Sequence, residues 1–248
     1  MKATAPIRLL WSLIARTGVP GPWLEEEMRA LKLMDLRDAT VIDVGANVGK
    51  FSLFLSRYVH PNGIVIAYEP YSKSANLLRI ACRIAHAKNV TLRQVALADR
   101  KCQDLLAMPV TRHGSVDDPL ISLNYPGSHN TVRTDVTTLD EDLRALGVGN
   151  VQFIKCDVEG AEFGVFSGAK LTIKASLPII LCELDYRWSS RFGTSPKDTI
   201  NLLSGLGGYV AFRVKGSHLE RVVISDSTIG NYFIIPETSI HNMGALIG

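Results

Sequence analysis

Three groups of residues in this sequence have the types and spacing for chemistry. The first is Val41-Ile42-Asp43-Val44-Gly45-Ala46-Asn47-Val48-Gly49, a β-branched run that passes into a glycine-containing turn. Gly45 and Gly49 let the backbone turn sharply and let a ligand come close. Roughly twenty residues later, Glu69 ends a second apolar run, placed to accept hydrogen bonds from ribose hydroxyls. The second group is Asp157-Val158-Glu159-Gly160-Ala161-Glu162, three carboxylates close behind another apolar run. Alternation of side chains keeps all three from pointing into one cavity, and acids also suit the cap and first turn of a helix. The third is Glu183, which ends a further run in Leu-Cys-Glu-Leu-Asp.

Two cofactor classes use an acid at the position of Glu69, and the turn separates them. A dinucleotide site needs glycine where Asn47 stands, because the pyrophosphate presses on that backbone. S-adenosylmethionine carries a ribose, an α-amino group and a carboxylate, and no phosphate. Asp43 suits the ammonium and Glu69 the ribose. The predicted cofactor is therefore S-adenosylmethionine, with Asp43, Gly45, Ala46, Asn47, Gly49 and Glu69 around it. An oxidoreductase using a nucleotide cofactor and a binding module without chemistry are the alternatives. The missing central glycine weighs against the first, and the acids at 157–162 and 183 against the second.

Methyl transfer from a sulfonium needs nucleophile, carbon and sulfur held in line, and an alcohol nucleophile also gains from a base or a metal. Asp157, at a strand tip, and Glu183 are the predicted catalytic carboxylates, and Asp157 also borders the cofactor. Together they could hold a divalent cation, but no histidine joins them, so no metal site is assigned. His129, in a polar stretch with His113, Asn124, Tyr125 and Asn130, is a further candidate base because its ordinary pKa lies near neutrality. Amino-group methyltransferases often carry Asn/Asp-Pro-Pro-aromatic after the fourth strand. Asp-Val-Glu-Gly stands here instead, which favours a hydroxyl acceptor.

These residues need a frame. Apolar runs at Thr40–Val44, Ile64–Tyr68, Val90–Ala98, Val151–Cys156, Pro178–Leu184, Tyr209–Val214 and Asn231–Ile235 read as seven strands. Helical patterns stand between them: Phe51 to Tyr58, a helix capped by Ser72 with Leu77, Ile80, Ala81 and Ile84 on its apolar face, Glu162 to Ala169, and Pro196 to Leu206. Alternation of this kind predicts an α/β fold, doubly wound, with ligands at the carboxyl ends of the strands. Residues 1–38, including a helix over Trp23–Leu36, form an N-terminal helical segment. Residues 39–248 form the cofactor domain, with an insertion over about 99–150 that lies on the substrate side and holds an extra strand at Thr131–Thr137.

The chain resembles the FkbM-type family of S-adenosylmethionine-dependent methyltransferases, from about Thr40 to Ile235. The residues carrying the resemblance are 41–49, Tyr68-Glu69-Pro70, Val95 to Asp99, Thr138-Leu139-Asp140, Phe153 to Glu162, and Glu183. It implies a mostly parallel, seven-stranded, Rossmann-like sheet whose last strand is antiparallel. It also implies methyl transfer to a hydroxyl of a sugar, glycan or natural product, with Pro70, Ala98 and Asp99 bordering the cofactor.

Bulk properties narrow the partners. The 248 residues carry 27 Lys and Arg against 24 Asp and Glu, so a nucleic acid is not the expected partner. Cys82, Cys102, Cys156 and Cys182 form no metal-binding spacing and read as free thiols of a reducing, cytoplasmic setting. The apolar part of residues 1–20 is too short to span a bilayer and suits at most weak contact with a membrane surface. A homodimer through the N-terminal helices is compatible with the pattern but not required by it.

Overall fold

A computed structural model describes residues 5–16, 25–108, 122–123, 130–244 and 246–247. Helices α1 (Ala5–Ala15) and α2 (Glu26–Leu31) come first. Then follow β1 (Thr40–Val44), α3 (Lys50–Tyr58), β2 (Ile64–Tyr68), α4 (Ser72–Ile84) and β3 (Val90–Arg93). A short β4 (Ala96–Leu97) precedes the insertion, which supplies β5 (Cys102–Ala107), β6 (Ser122–Leu123), β7 (Thr131–Thr137) and α5 (Leu139–Ala145). The chain continues with β8 (Phe153–Cys156), α6 (Glu162–Ser167), α7 (Lys170–Ser176), β9 (Ile179–Asp185), α8 (Tyr186–Ser189) and α9 (Pro196–Gly207). It closes with β10 (Tyr209–Lys215), β11 (His218–Val222), β12 (Ile229–Pro236) and α10 (Glu237–Ile240).

The main sheet has the order β11-β10-β12-β9-β8-β1-β2-β3. Its five strands from β3 to β9 are parallel, and β12 runs antiparallel to both β9 and β10. The fold is thus the expected α/β arrangement with an antiparallel last strand, but the sheet has eight strands rather than seven. The addition is β11, which hairpins onto β10 through Gly216 at φ 63°. Its Glu220 binds Arg213 and Lys215 across the pair, and charged edge strands of this kind carry little apolar signal.

Two further expectations are corrected. The run at Val90–Ala98 is not one strand: β3 stays in the main sheet, while Ala96 and Leu97 pair with β7 in a second sheet of order β4-β7-β5-β6. The α4 helix starts at Ser72 with Tyr71 as its cap, and its buried face is Ser74, Ala75, Leu78 and Ala81. Ile80 and Ile84 point outward, 43% and 56% exposed. The strand at Thr131–Thr137 forms as expected. Of the helix read over Trp23–Leu36, α2 forms, and residues 17–24 lie outside the described residues.

Strand alternation builds two core layers. Ile42, Val44, Ile154, Cys156, Ile180 and Cys182 face Phe166, Leu143 and Leu203. Val41, Val65, Phe153, Leu181 and Phe233 face Phe54, Leu55, Met28 and Leu31 on the other side. Both faces of the parallel strands are covered, which is why they read as continuous apolar runs. All four cysteines are free, and Cys156 and Cys182 are neighbours in register. None of the described helices is long and apolar enough to cross a membrane.

Candidate active site

The carboxyl ends of β1, β2, β8 and β9 open onto a cavity of about 480 Å³, the size of an ordinary small-ligand site. Its walls include Gly45, Ala46, Asn47, Glu69, Pro70, Asp157, Glu159 and Glu183. Three sequence segments predicted to meet there do so because the parallel register aligns their ends.

The turn after β1 folds back on itself. The amides of Gly45 and Ala46 both donate to the Tyr68 carbonyl, and that of Gly49 donates to the Ala46 carbonyl. Gly45, at φ 77°, could carry no side chain, since a Cβ there would lie 1.8 Å from the Asp157 carbonyl oxygen. Gly49 caps α3 at φ 88° and does not line the cavity itself. Asn47 adopts φ 50°, its amide donates to Glu69 Oε2 at 2.8 Å, and Arg8 of α1 donates to its side-chain oxygen.

Glu69 is buried, with each carboxylate oxygen accepting one backbone amide, from Asn47 and from Tyr71, both at 2.8 Å. Burial pushes its pKa up to about 7 against the pull of these bonds. Each oxygen keeps a lone pair for the cavity, the acceptor set that a vicinal diol requires.

Asp43 does not meet the cavity as expected. It is fully buried beneath the turn, where Oδ2 accepts the Ser52 hydroxyl at 2.5 Å and Oδ1 lies 3.9 Å from Lys155 Nζ. Burial raises its pKa, while Lys155 and Ser52 oppose the rise. Sequence reasoning gave Lys155 no role, yet it is paired in register with Asp43 and lines the cavity. Its ammonium donates to Asp157 Oδ2 at 2.9 Å and sits 5.1 Å from the Phe51 ring centre. Despite burial, Asp157 and Asp43 hold its pKa above the usual lysine value. The available signal was a single cation inside the apolar strand Phe153-Ile154-Lys155-Cys156, since a buried charge requires partners.

The acids divide by environment. Burial opposes ionisation of Asp157, but Lys155 and a hydrogen bond with Glu183 hold its pKa below the usual range. Burial and the adjacent Asp157 push Glu183 upward, and the same two causes raise Glu159 to about 8. Carboxylate oxygens of Asp157, Glu159 and Glu183 lie within 4.8 Å of one another, so these are the residues that could hold a cation. Glu159 reaches the group through left-handed backbone at φ 54°, beside Gly160 at φ 102°. A Cβ on Gly160 would lie 2.5 Å from the Trp188 carbonyl carbon. Glu162 braces the loop, its Oε1 accepting the Val158 and Gly160 amides at 3.2 and 3.1 Å.

Two other predicted residues are not brought to the site. Ala98 and Asp99 lie past the cavity wall, which at this point is Val95, Ala96 and Leu97. Asp99 is exposed and pairs with Arg100 at 3.2 Å. The cause is the departure of β4 into the second sheet. His129 lies outside the described residues, as do His113, Asn124 and Tyr125. Sequence reasoning also missed part of the lining, Arg8 and Ser12 of α1 together with Lys50, which binds Glu25 at 2.6 Å.

The fold is shared with known proteins. The chain is similar to the FkbM methyltransferase from Methylobacillus flagellatus KT, with TM-score 0.54, 15% identity, and coverage of 92% of this chain and 59% of that one. It is also similar to the cofactor-bound Rv0187 from MTB, with TM-score 0.50, 14% identity, and coverage of 92% and 89%. At these identities the likeness shows the fold. A ribosomal RNA small subunit methyltransferase G from Campylobacter fetus subsp. fetus (strain 82-40) is 29% identical over 90 residues, 36% of this chain and about half (48%) of the relative's length. Residues 43–210, from the buried aspartate of β1 to β10, match the methyltransferase FkbM domain, and the chain belongs to that family.

Proposed function

We propose that this protein transfers the methyl group of S-adenosylmethionine to a hydroxyl of a sugar, glycan or natural-product small molecule. The observation that carries the reading is one cavity lined by two unlike groups. Glu69 offers a fixed pair of acceptors, and Asp157, Glu159 and Glu183 converge. The donor set suits the cofactor: a diol for Glu69, and cationic groups for the carboxylates. A dinucleotide fits less well, because the Gly45, Ala46, Asn47 and Gly49 amides are all bonded within the protein and are not free to turn to a diphosphate.

S-adenosylmethionine, when bound, supplies the activated methyl group. The chain's residues do the remaining work. Glu69 and the turn at 45–49 fix the nucleoside end and so the direction of approach. Asp157, kept ionised by Lys155, faces developing positive charge or accepts the acceptor's hydroxyl proton. Glu183 and Glu159, whose pKa values are raised, hold protons near neutrality and can donate hydrogen bonds to the acceptor oxygen or to Asp157. Hydroxyl acceptors are favoured by Asp157-Val158-Glu159-Gly160 after β8, where amino-group enzymes often carry a proline pair.

Calorimetric titration with S-adenosylhomocysteine tests the cofactor, with NAD as control and a Glu69→Ala variant. Micromolar binding that the substitution weakens, with no response to NAD, is the expected result. Binding of NAD instead, or no binding by folded protein, overturns the reading. Formation of S-adenosylhomocysteine in the presence of hydroxylated acceptors then tests the reaction.

A further inference from the structure

The charges of this protein are segregated. Between Val44 and Ala98 the only acid is Glu69, which is buried in the cavity wall. An even spread of the chain's 24 acids would put about five there. The same stretch holds Lys50, Arg57, Lys73, Arg79, Arg83, Lys88 and Arg93. Lys50 and Arg93 are neutralised by Glu25 and Asp142. The other five are exposed and form no ion pair among the described residues.

The fold gathers these cations. The Asn89 side chain donates to the Ser56 and Gly63 carbonyls at 2.8 and 3.1 Å, tying the end of α3 to the turn after α4. Arg57, in the last turn of α3, thereby joins the side of the molecule that carries Arg83 and Lys88. Helix α1 packs here too, with Leu9 and Leu13 against Leu53, Ala81 and Ala87. No acid occurs before Glu25 in the sequence. On this basic side stand outward apolar residues: Ile80 and Ile84 one turn apart on α4, and Ile7 and Leu10 on α1, 43–56% exposed.

We propose that the outer faces of α4 and α1, with the end of α3, form a peripheral docking surface for membranes containing anionic lipid. Basic side chains meet the headgroups, while the isoleucines and Leu10 enter the boundary between headgroup and acyl chain. A nucleic acid would use the same cations but gains nothing from exposed aliphatic side chains. A single strand also calls for aromatic rings on which bases stack. The tyrosine of α3, Tyr58, is instead stacked on Phe54 at 4.5 Å.

The experiment is flotation of the full chain with phosphatidylcholine vesicles, with and without phosphatidylglycerol, across a salt series. Binding only to the anionic vesicles, weakening as salt rises, is expected. Arg79→Glu with Arg83→Glu, and separately Ile80→Ser with Ile84→Ser, should each reduce it about tenfold or more. All these positions are exposed, so melting temperature and S-adenosylhomocysteine affinity should hold in both variants. Absence of vesicle binding overturns the proposal, as does equal binding to both vesicle types or indifference to the isoleucine change. Polyuridylate binding lost with the arginine change, without vesicle binding, assigns the surface to nucleic acid instead.

Discussion

Lys155 Nζ donates to Asp157 Oδ2 at 2.9 Å, so the last turn of β8 carries its own counter-ion into the cavity. The same ammonium lies 3.9 Å from Asp43, whose Oδ1 has no hydrogen-bond partner among the described residues. One cation thus offsets two carboxylates, one beneath the cofactor turn and one facing the cavity. Removing it leaves a buried charge without compensation.

Lys155→Met should therefore cost roughly 3–5 kcal/mol of stability, the usual effect of breaking a buried pair from one side. Adding Asp43→Asn should restore part of that loss by removing the stranded charge. Urea unfolding of the single and double variants measures both. Additive losses would show that the two residues do not act as a pair.

Cofactor affinity should depend on pH through Glu69. Hydroxyl donors bond best to its ionised form, and its pKa stands near 7 before binding. S-adenosylhomocysteine should bind more weakly as pH falls from about 8 to about 6, with Glu69→Gln flattening the dependence. Titrations across that range decide it, and an unchanged slope in the variant would assign the effect to another group.

Stability without ligand should move with pH in the opposite sense. Glu69, Glu162 and Glu159 have folded pKa values of about 7, 7 and 8, and Glu183 is raised as well. Between the unfolded value near 4.5 and these values, the folded protein holds more protons than the unfolded chain. The unfolding free energy should accordingly fall as pH rises through that window. Thermal melts should peak on the acid side of neutrality, and Glu159→Gln with Glu183→Gln should reduce the loss at pH 8. A melting temperature that rises from pH 5 to pH 8 would contradict the assigned shifts.

Gly45→Ala should be damaging out of proportion to one methyl group. The backbone stands at φ 77°, and the new carbon would meet the Asp157 carbonyl at 1.8 Å. The turn and the loop after β8 must separate, at a cost of about 2 kcal/mol or more. Gly149→Ala, where an added carbon meets nothing within 4 Å, is the control in the same melting assay.

Turnover should separate the acids. Asp157→Asn should lower kcat about a hundredfold or more. Glu162→Gln should act mainly on stability, because its carboxylate is spent on the Val158 and Gly160 amides. Initial rates with an accepted hydroxyl substrate, alongside melting curves, distinguish the two. Equal loss of kcat in both variants, with both folded, would remove the special role of Asp157.

The sequence by itself determined the alternation of strands and helices, the turn at 45–49, and the placing of Glu69 and Asp157 at strand ends, with Glu183 near the end of β9. These are local matters: buried parallel strands need apolar runs, tight turns need glycine, and functional acids stand where strands stop. The resemblance to the FkbM family rested on the same segments. What lay beyond it depended on contacts between distant segments. Asp43 and Lys155 are 112 residues apart and meet because β1 and β8 are neighbours in register. The exposed side of α4 was misassigned because Ile80 and Ile84 have the spacing of a buried stripe, and only packing decides which face the sheet covers. Ala98 and Asp99 left the predicted wall because β4 pairs with β7 rather than continuing β3. Periodicity fixes which residues share a face, while the partner that covers that face is chosen in three dimensions.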